Sequence, residues 1–370
     1  MKIAQVAPLY ESVPPKLYGG TERVVFNLTE ELVRQGQDVT LFASGDSRTS
    51  AKLIAPCPKA LRLDKDCRDQ MAYHMVLLDQ VFERIKEFDI VHFHIDYLHY
   101  PLSRRSKTPH VTTLHGRLDL PELTTLYRRF PDVPLVSISN AQRQPISWAN
   151  WQGTVHHGLP RDMYDFHPAP GKYLAFIGRI SPEKRVDRAI EIARRSGLPL
   201  RIAAKVDQAD RKYYEQEIQP LLDQPGVEFI GEIGEYQKSD FLGNAVALLF
   251  PIDWPEPFGL VMIESMACGT PVVAWRCGSV PEVIDEGVTG FICDSIDQAA
   301  EAVERVKWLD RAGCRRRFES RFLVGRMAAD YVQIYERLSG KPKPSETARY
   351  GRSHPGPGSV LHSGDRVARP

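Results

Sequence analysis

Apolar positions along this chain fall into two alternating patterns. Short unbroken runs occupy 2–7, 39–42, 89–94, 111–116 and 135–140, then 173–177, 200–204, 227–230, 245–250, 272–275 and 290–293. Runs of this length without polar alternation are those of strands buried on both faces, as in parallel sheets. Between them lie stretches with helical spacing. Val24, Val25, Leu28 and Leu32 form one apolar stripe, which Gly36 ends; further helices are predicted over 71–88, 259–268 and 297–338. The chain thus begins strand, glycine loop, helix, strand, the parallel α/β unit, and repeats that alternation to its end.

Turn formers interrupt the pattern around 153–170, where Val155-His156-His157-Gly158-Leu159-Pro160 and Pro168-Ala169-Pro170-Gly171 stand. A domain boundary is placed there. The expected division is an N-terminal domain over 1–160, a C-terminal domain over 161–320, a helix over 321–339 that can return to the N-terminal domain, and a disordered tail over 340–370. The tail is rich in Gly, Pro, Ser and Arg and lacks apolar periodicity. With 370 residues, two cores are affordable. A formal net charge of +1 gives no whole-chain attraction to nucleic acid. Arg315-Arg316-Arg317 is a local basic cluster, read first as a solvated helix face and second as an anion or peripheral membrane contact. Six cysteines without CxxC spacing point to reduced thiols and a cytoplasmic setting, with no metal site. The chain has no run of eighteen apolar residues, so no membrane span is expected.

The candidate chemistry centres on 255–273, PEPFGLVMIESMACGTPVV. Pro257 fixes a dihedral at or just before the first helical turn, and Gly269-Thr270-Pro271 stops the helix. The free N–H groups of that helix start then suit a phosphate. Glu256 before the helix and Glu264 within it suit the hydroxyls of an attached sugar or ribose. A second phosphate segment is Gly178-Arg179-Ile180-Ser181-Pro182-Glu183-Lys184, with Ser181 capping a helix and Arg179 and Lys184 supplying cations; a plain surface turn competes with this reading. Gly19-Gly20-Thr21-Glu22 sits at the carboxyl end of the first strand, where open α/β sheets bind ligands. His92 and His94 share a face and are read as packed or hydrogen-bonded rather than metal-binding. His115 and Asn140 close other strands. Ser279 and Glu282 have capping-box spacing.

Glu256-x7-Glu264 inside this stretch, with the two glycine segments in the same order, resembles the signature of glycosyltransferase family 4. Within it, the first 25 residues are similar to avilamycin-type antibiotic sugar transferases. The resemblance covers nearly all of 1–338. It implies the GT-B fold, two Rossmann-like doubly wound sheets facing each other across a cleft, and a retaining hexosyltransferase that needs no metal or other cofactor. The co-substrate would be a nucleoside-diphosphate sugar, held by the C-terminal domain. The acceptor, a glycan, lipid or small molecule, would lie on the N-terminal domain. By position, Glu256 would contact the sugar, Glu264 the ribose, and Arg179 and Lys184 the diphosphate, with the amides of Phe258, Gly259 and Leu260 beside it and Gly19 and Gly20 approaching it from across the cleft. His115 would lie near the reacting sugar, and His94, Asp96 and Asn140 on the acceptor side. The linker His156-His157-Gly158-Leu159-Pro160 departs from the Asn-Gly-Val-Asp type usual there. An alternative is a protein of the same fold that binds or epimerises a nucleotide sugar. A nicotinamide-linked oxidoreductase ranks last, because neither glycine segment is GxGxxG.

Overall fold

In the computed structural model, residues 1–16, 19–62 and 64–340 are described. Two parallel sheets follow one another along the chain. The first holds β1 (Lys2–Val6), β2 (Asp38–Phe42), β3 (Lys52–Ile54), β4 (Ile90–Phe93), β5 (His110–Thr113), β6 (Leu135–Ser137) and β7 (Trp151–Thr154), in the spatial order β3-β2-β1-β4-β5-β6-β7. The second holds β8 (Tyr173–Arg179), β9 (Leu200–Lys205), β10 (Val227–Gly231), β11 (Ala245–Phe250), β12 (Val272–Trp275) and β13 (Gly290–Cys293), in the order β10-β9-β8-β11-β12-β13. Each sheet starts near its middle, winds to one edge and returns to the other side. The winding reverses between β1 and β4 and again between β8 and β11. At such a switch point the two loops part, which opens a crevice at the carboxyl ends of the strands. The fold is doubly wound twice over.

Burial on both faces accounts for the unbroken runs: every residue of β4 and β11 is buried. The two strands missing from the sequence reading, β3 and β7, lie at one outer edge of the first sheet and beside β6 at the other, and neither holds a buried residue. The long helix expected over 297–338 is three helices, Ile296–Val306, Arg311–Arg321 and Val324–Ser339. Asp310 opens the second by accepting from the Ala312 amide at 2.9 Å. The six cysteines are free thiols. Among the described residues no helix is long and apolar enough to cross a membrane.

The last helix crosses back to the first sheet. Met327, Ala328, Tyr331 and Tyr335 are buried in one cluster with Ile3, Val24, Leu28 and Val111. At roughly 1.5–3 kcal/mol for each large apolar side chain buried, this face ties the helix to the N-terminal layer. The chain therefore passes between the sheets twice, and the two crossings lie side by side. Leu159 N–H donates to the Phe322 carbonyl, and Val324 N–H to the Leu159 carbonyl, both at 2.9 Å. Gly158 permits this approach, since a Cβ there would stand 2.6 Å from the Leu323 carbonyl oxygen. Of the tail expected over 340–370, Gly340 closes the helix in a left-handed conformation, and 341–370 lie outside the described residues.

Candidate active site

The two sheets face each other across a cleft whose main cavity is about 560 Å³, a size suited to a small-molecule ligand. Gly19, Gly20 and His115 line it from the N-terminal side, and Arg179, Lys184 and Glu256 through Val261 from the other. A smaller cavity of about 120 Å³ continues from it past Gly20 and Leu260 to Lys238 and Glu264.

The cleft floor is the helix Leu260–Ala267. Gly259 is its N-cap with φ 74°, a left-handed conformation that a side chain would strain. Pro257 lies two residues before that cap rather than in the first turn. Leu260 and Val261 line the cleft, and as first-turn residues their amides have no partner within the helix. The preceding loop is fixed by Ser279, whose N–H donates to the Glu256 carbonyl at 3.0 Å and whose hydroxyl donates to the Phe258 carbonyl at 2.8 Å. This corrects the capping-box reading: Ser279 braces the loop, and Glu282 reaches across to the first sheet domain. There Glu282 accepts from the Asn140 and Ala141 amides at 2.8 and 2.7 Å and contacts His156 at 3.2 Å. Burial opposes its ionisation, but these bonds more than offset that, and its carboxyl lies below the ordinary value.

Lys184 forms an ion pair with Glu256. Its ammonium also lies 5.0 Å from the Trp254 ring centre, and Trp254 Nε1 donates to the same Glu256 oxygen at 3.0 Å. The segment carrying Lys184 differs from the expected helix start. Pro182–Lys184 is a single 3₁₀ turn, the Ser181 side chain makes no capping bond to it, and the helix begins at Val186. The reason is a sideways brace. The Glu183 carbonyl accepts from the Asp253 amide at 2.8 Å, and Arg185, with φ 54°, is gripped by Asp187 and Asp253. Arg179 ends β8 among three carboxylates: it donates to Glu183 and lies 3.4 Å from Asp210 and 3.9 Å from Asp207. Glu264 is buried and accepts from Lys238 Nζ at 3.0 Å.

On the opposite wall, His115 lies just beyond β5. A hydrogen-bonded line runs behind it. His115 Nε2 meets His94 Nδ1 at 2.9 Å, His94 Nε2 meets Gln5 Oε1 at 2.8 Å, and Gln5 Nε2 donates to the Tyr335 hydroxyl at 3.1 Å. His92 bonds Tyr335 and Thr113. Burial holds His92 and His94 well below the ordinary imidazole value and His115 at about 3, so all three are neutral at pH 7. His94 therefore supports His115 from behind instead of lining the cleft. Asp96 and Asn140 do not line it either. Asp96, in a left-handed conformation with φ 51°, is not among the residues lining the main cavity, and Asn140 follows a strand that ends at Ser137 and is taken by Glu282. Arg315 is not a free basic surface group, since it donates to the carbonyls of Arg161, Tyr164 and Ala267.

The cleft also holds residues that the sequence reading passed over. His157 of the linker stacks on His115 with ring centres 5.5 Å apart and packs edge-on against Phe258 at 4.8 Å. Its place in a turn-rich stretch gave no sign of this. Trp254 stood directly beside the singled-out motif. Arg23 and Lys238 carried no spacing signal.

Two doubly wound sheets meeting at such a cleft define the GT-B class of glycosyltransferases. Residues 18–151 match the family model described as Glycosyltransferase Family 4, and 166–319 match the one described as Glycosyl transferases group 1. The chain is accordingly a glycosyltransferase of the family 4 type, an enzyme that transfers a sugar from a donor. Among curated relatives, D-inositol 3-phosphate glycosyltransferase of Mycolicibacterium smegmatis is 25% identical, over 75% of this chain and 76% of that protein. Glycogen synthase of Mycobacterium tuberculosis is 26% identical over 93% and 97%. Among solved structures, AviGT4, a glycosyltransferase involved in avilamycin A biosynthesis, shares the fold with a TM-score of 0.72 and 24% identity over 92% and 99% of the two chains. HepE of Anabaena, solved in complex with UDP-glucose, does so with a TM-score of 0.68 and 19% identity over 92% and 100%.

Proposed function

We propose that the protein is a retaining transferase that takes its sugar from a nucleoside-diphosphate sugar and passes it to a hydroxyl acceptor bound on the N-terminal side of the cleft. The observation that carries this reading is the arrangement around the helix Leu260–Ala267. Lys184 with Glu256 stands before its N-terminus and Lys238 with Glu264 beside its body, while Gly19 and Gly20 face it across the cleft. One end suits a transferable sugar, the middle a diphosphate and the far end a ribose. The structures of HepE with UDP and glucose and with UDP-glucose lend support through a shared fold.

In the proposed reaction the bond from the anomeric carbon to the diphosphate oxygen breaks. Positive charge develops on the sugar and negative charge on the leaving diphosphate. Lys184, Arg179 and the amides of Leu260 and Val261 stabilise that negative charge where it appears. The acceptor hydroxyl forms the new bond on the face the diphosphate leaves, and its proton passes to a leaving phosphate oxygen. Glu256 orients the sugar hydroxyls, and neutral His115, stacked on His157, forms the wall beside the sugar. The two linker crossings let the sheets close and exclude water, which limits hydrolysis. Phosphate charge is met by protein cations and amides, so the account assigns no step to a metal or other cofactor.

A thermal-shift and calorimetric screen of UDP-, GDP- and dTDP-linked sugars tests the donor, since bound ligand stabilises the fold by mass action. Proton NMR of the transferred anomeric centre then reads retention. Donor that is epimerised without any acceptor, and never transferred, would replace this reading with the epimerising one.

A further inference from the structure

We propose that Arg23 is a positioning residue for the donor, acting across the cleft through Glu235 and Lys238 on Glu264. The inference rests on the reading of Glu264 as a nucleotide contact. Arg23 lies in the first turn of the helix Gly20–Arg34, directly after the glycine segment of the N-terminal wall. Its Nη2 is 2.8 Å from Glu235 Oε2 on the opposite domain. The same oxygen is 3.3 Å from Lys238 Nζ, one turn along the helix Glu235–Gly243, and Lys238 Nζ donates to Glu264 Oε1 at 3.0 Å. The Tyr164 hydroxyl donates to the other Glu235 oxygen. Cation, carboxylate, cation and carboxylate thus alternate in one line from the N-terminal helix to the helix at the cleft floor.

The side chains in this line are at most 20% exposed. At such sites charge interactions are strengthened, and removing one partner leaves a charge that the interior does not tolerate. Burial opposes the charge on Lys238, yet Glu264 and Glu235 together outweigh it and keep its ammonium charged beyond the ordinary lysine range. The line is balanced only as a whole. Without Arg23, Glu235 has Lys238 as its one cation among the described residues and draws the ammonium toward itself. Glu264 then loses the bond that sets its orientation. Arg23 and Glu235 belong to different sheet domains, so their ion pair exists only when the cleft is closed to this approach. A ligand that fixes Glu264 and Lys238 therefore favours closure, and closure favours that ligand by the same factor.

The line also places both ends at the ligand: Arg23, Lys238 and Glu264 share one small cavity with Gly19, Gly20 and Leu260. Arg23 thus reports the N-terminal wall to the residue that reads the nucleotide.

The test is a calorimetric double-mutant cycle with UDP, GDP and dTDP as probes on the full chain, using Arg23→Gln, Glu264→Gln and the double variant. For the nucleotide that binds wild-type protein, Arg23→Gln is expected to weaken binding by about tenfold. In the Glu264→Gln background the same change is expected to add no more than about twofold, the scatter within which such effects are indistinguishable from none, whereas independent sites would give the tenfold loss again. Arg23→Gln binding like wild type, or effects that multiply in the double variant, would overturn the inference while leaving the donor reading intact. Wild-type protein that binds none of the three overturns the donor reading and the inference with it. Should Arg23→Gln fail to fold, Glu235→Gln, which keeps a hydrogen bond to Tyr164, is expected to give the same non-additivity, and additive effects there overturn the inference equally.

Discussion

Lys184 and Glu256, 72 positions apart in the chain, form an ion pair at the floor of the cleft. The oxygen that takes Lys184 also accepts from Trp254 Nε1. On the proposed reading, a diphosphate arriving at the helix N-terminus would compete with Glu256 for the ammonium and free the carboxylate toward the sugar hydroxyls. Glu256→Gln is expected to separate these effects. Affinity for the nucleoside diphosphate, measured by calorimetry, should hold or rise, while the transfer rate should fall by about 10²-fold, as when one hydrogen-bonding group in a catalytic site is removed. A loss of nucleotide affinity with unchanged transfer would reverse the roles given to the pair.

Gly259 holds the helix start in place. A Cβ there would lie 2.8 Å from Met262 Cε and 3.1 Å from Phe250 Cζ, at a φ of 74°. Gly259→Ala is expected to lower unfolding free energy by about 1–3 kcal/mol, from the left-handed strain and the crowding together. Urea unfolding measures the loss, and unchanged stability would mean that the turn has room to relax.

Arg311 is buried and donates to the carbonyls of His167, Gly243 and Ala245 at 2.7, 2.8 and 3.0 Å and to the Thr270 hydroxyl at 2.6 Å. Burial pulls its pKa below the ordinary value. Arg311→Met keeps the bulk but strands those acceptors. A loss of about 2–4 kcal/mol is expected, the cost of leaving several buried polar groups unmade. The readout is again urea unfolding, with nucleotide binding by the folded fraction retained.

Stability should depend on pH through the buried imidazoles. Burial depresses His92, His94, His99 and His157 well below 6.5 and His115 to about 3. In the unfolded chain they take up protons near the ordinary value of 6.5, so below it the unfolded state binds more protons than the folded one. The stability they contribute is full above pH 6.5 and is lost as pH falls below that value toward the folded pKa. Each contributes a slope of up to about 1.4 kcal/mol per pH unit. Unfolding midpoints between pH 8 and 5.5 should fall, and His115→Gln should flatten the fall. Equal stability across that range would contradict the neutral assignment.

The fold was legible where burial wrote itself into composition. Strands β4 and β11 are unbroken apolar runs because both faces are covered, whereas β3 and β7 carry no such run because none of their residues is buried. The cleft residues named from motifs, Gly19, Gly20, Arg179, Lys184, Glu256 and Glu264, are brought together at the two adjoining cavities, because they sit at strand ends and helix starts, which local sequence marks. What stayed hidden depends on partners distant in the chain. The Gln5 amide that braces His94 finds its second partner, Tyr335, 330 positions away. Asn140 was placed on the cleft by its strand end alone, and nothing nearby in sequence reveals that Glu282 claims it. The helix expected at Ser181 gave way to a turn because Asp253, far along the chain, captures the Glu183 carbonyl.

The central claim is that Lys184 and the helix N-terminus beside it hold the leaving diphosphate. Its most direct test is to measure calorimetric affinity for UDP, GDP and dTDP, together with sugar turnover from the corresponding donor, for wild type and Lys184→Ala. At least one of the three is predicted to bind wild-type protein. Lys184→Ala is predicted to bind it at least about tenfold more weakly and to transfer sugar about 10²–10³-fold more slowly. Equal affinity and equal turnover in the two proteins, or wild-type protein that binds none of the three nucleotides, would contradict it.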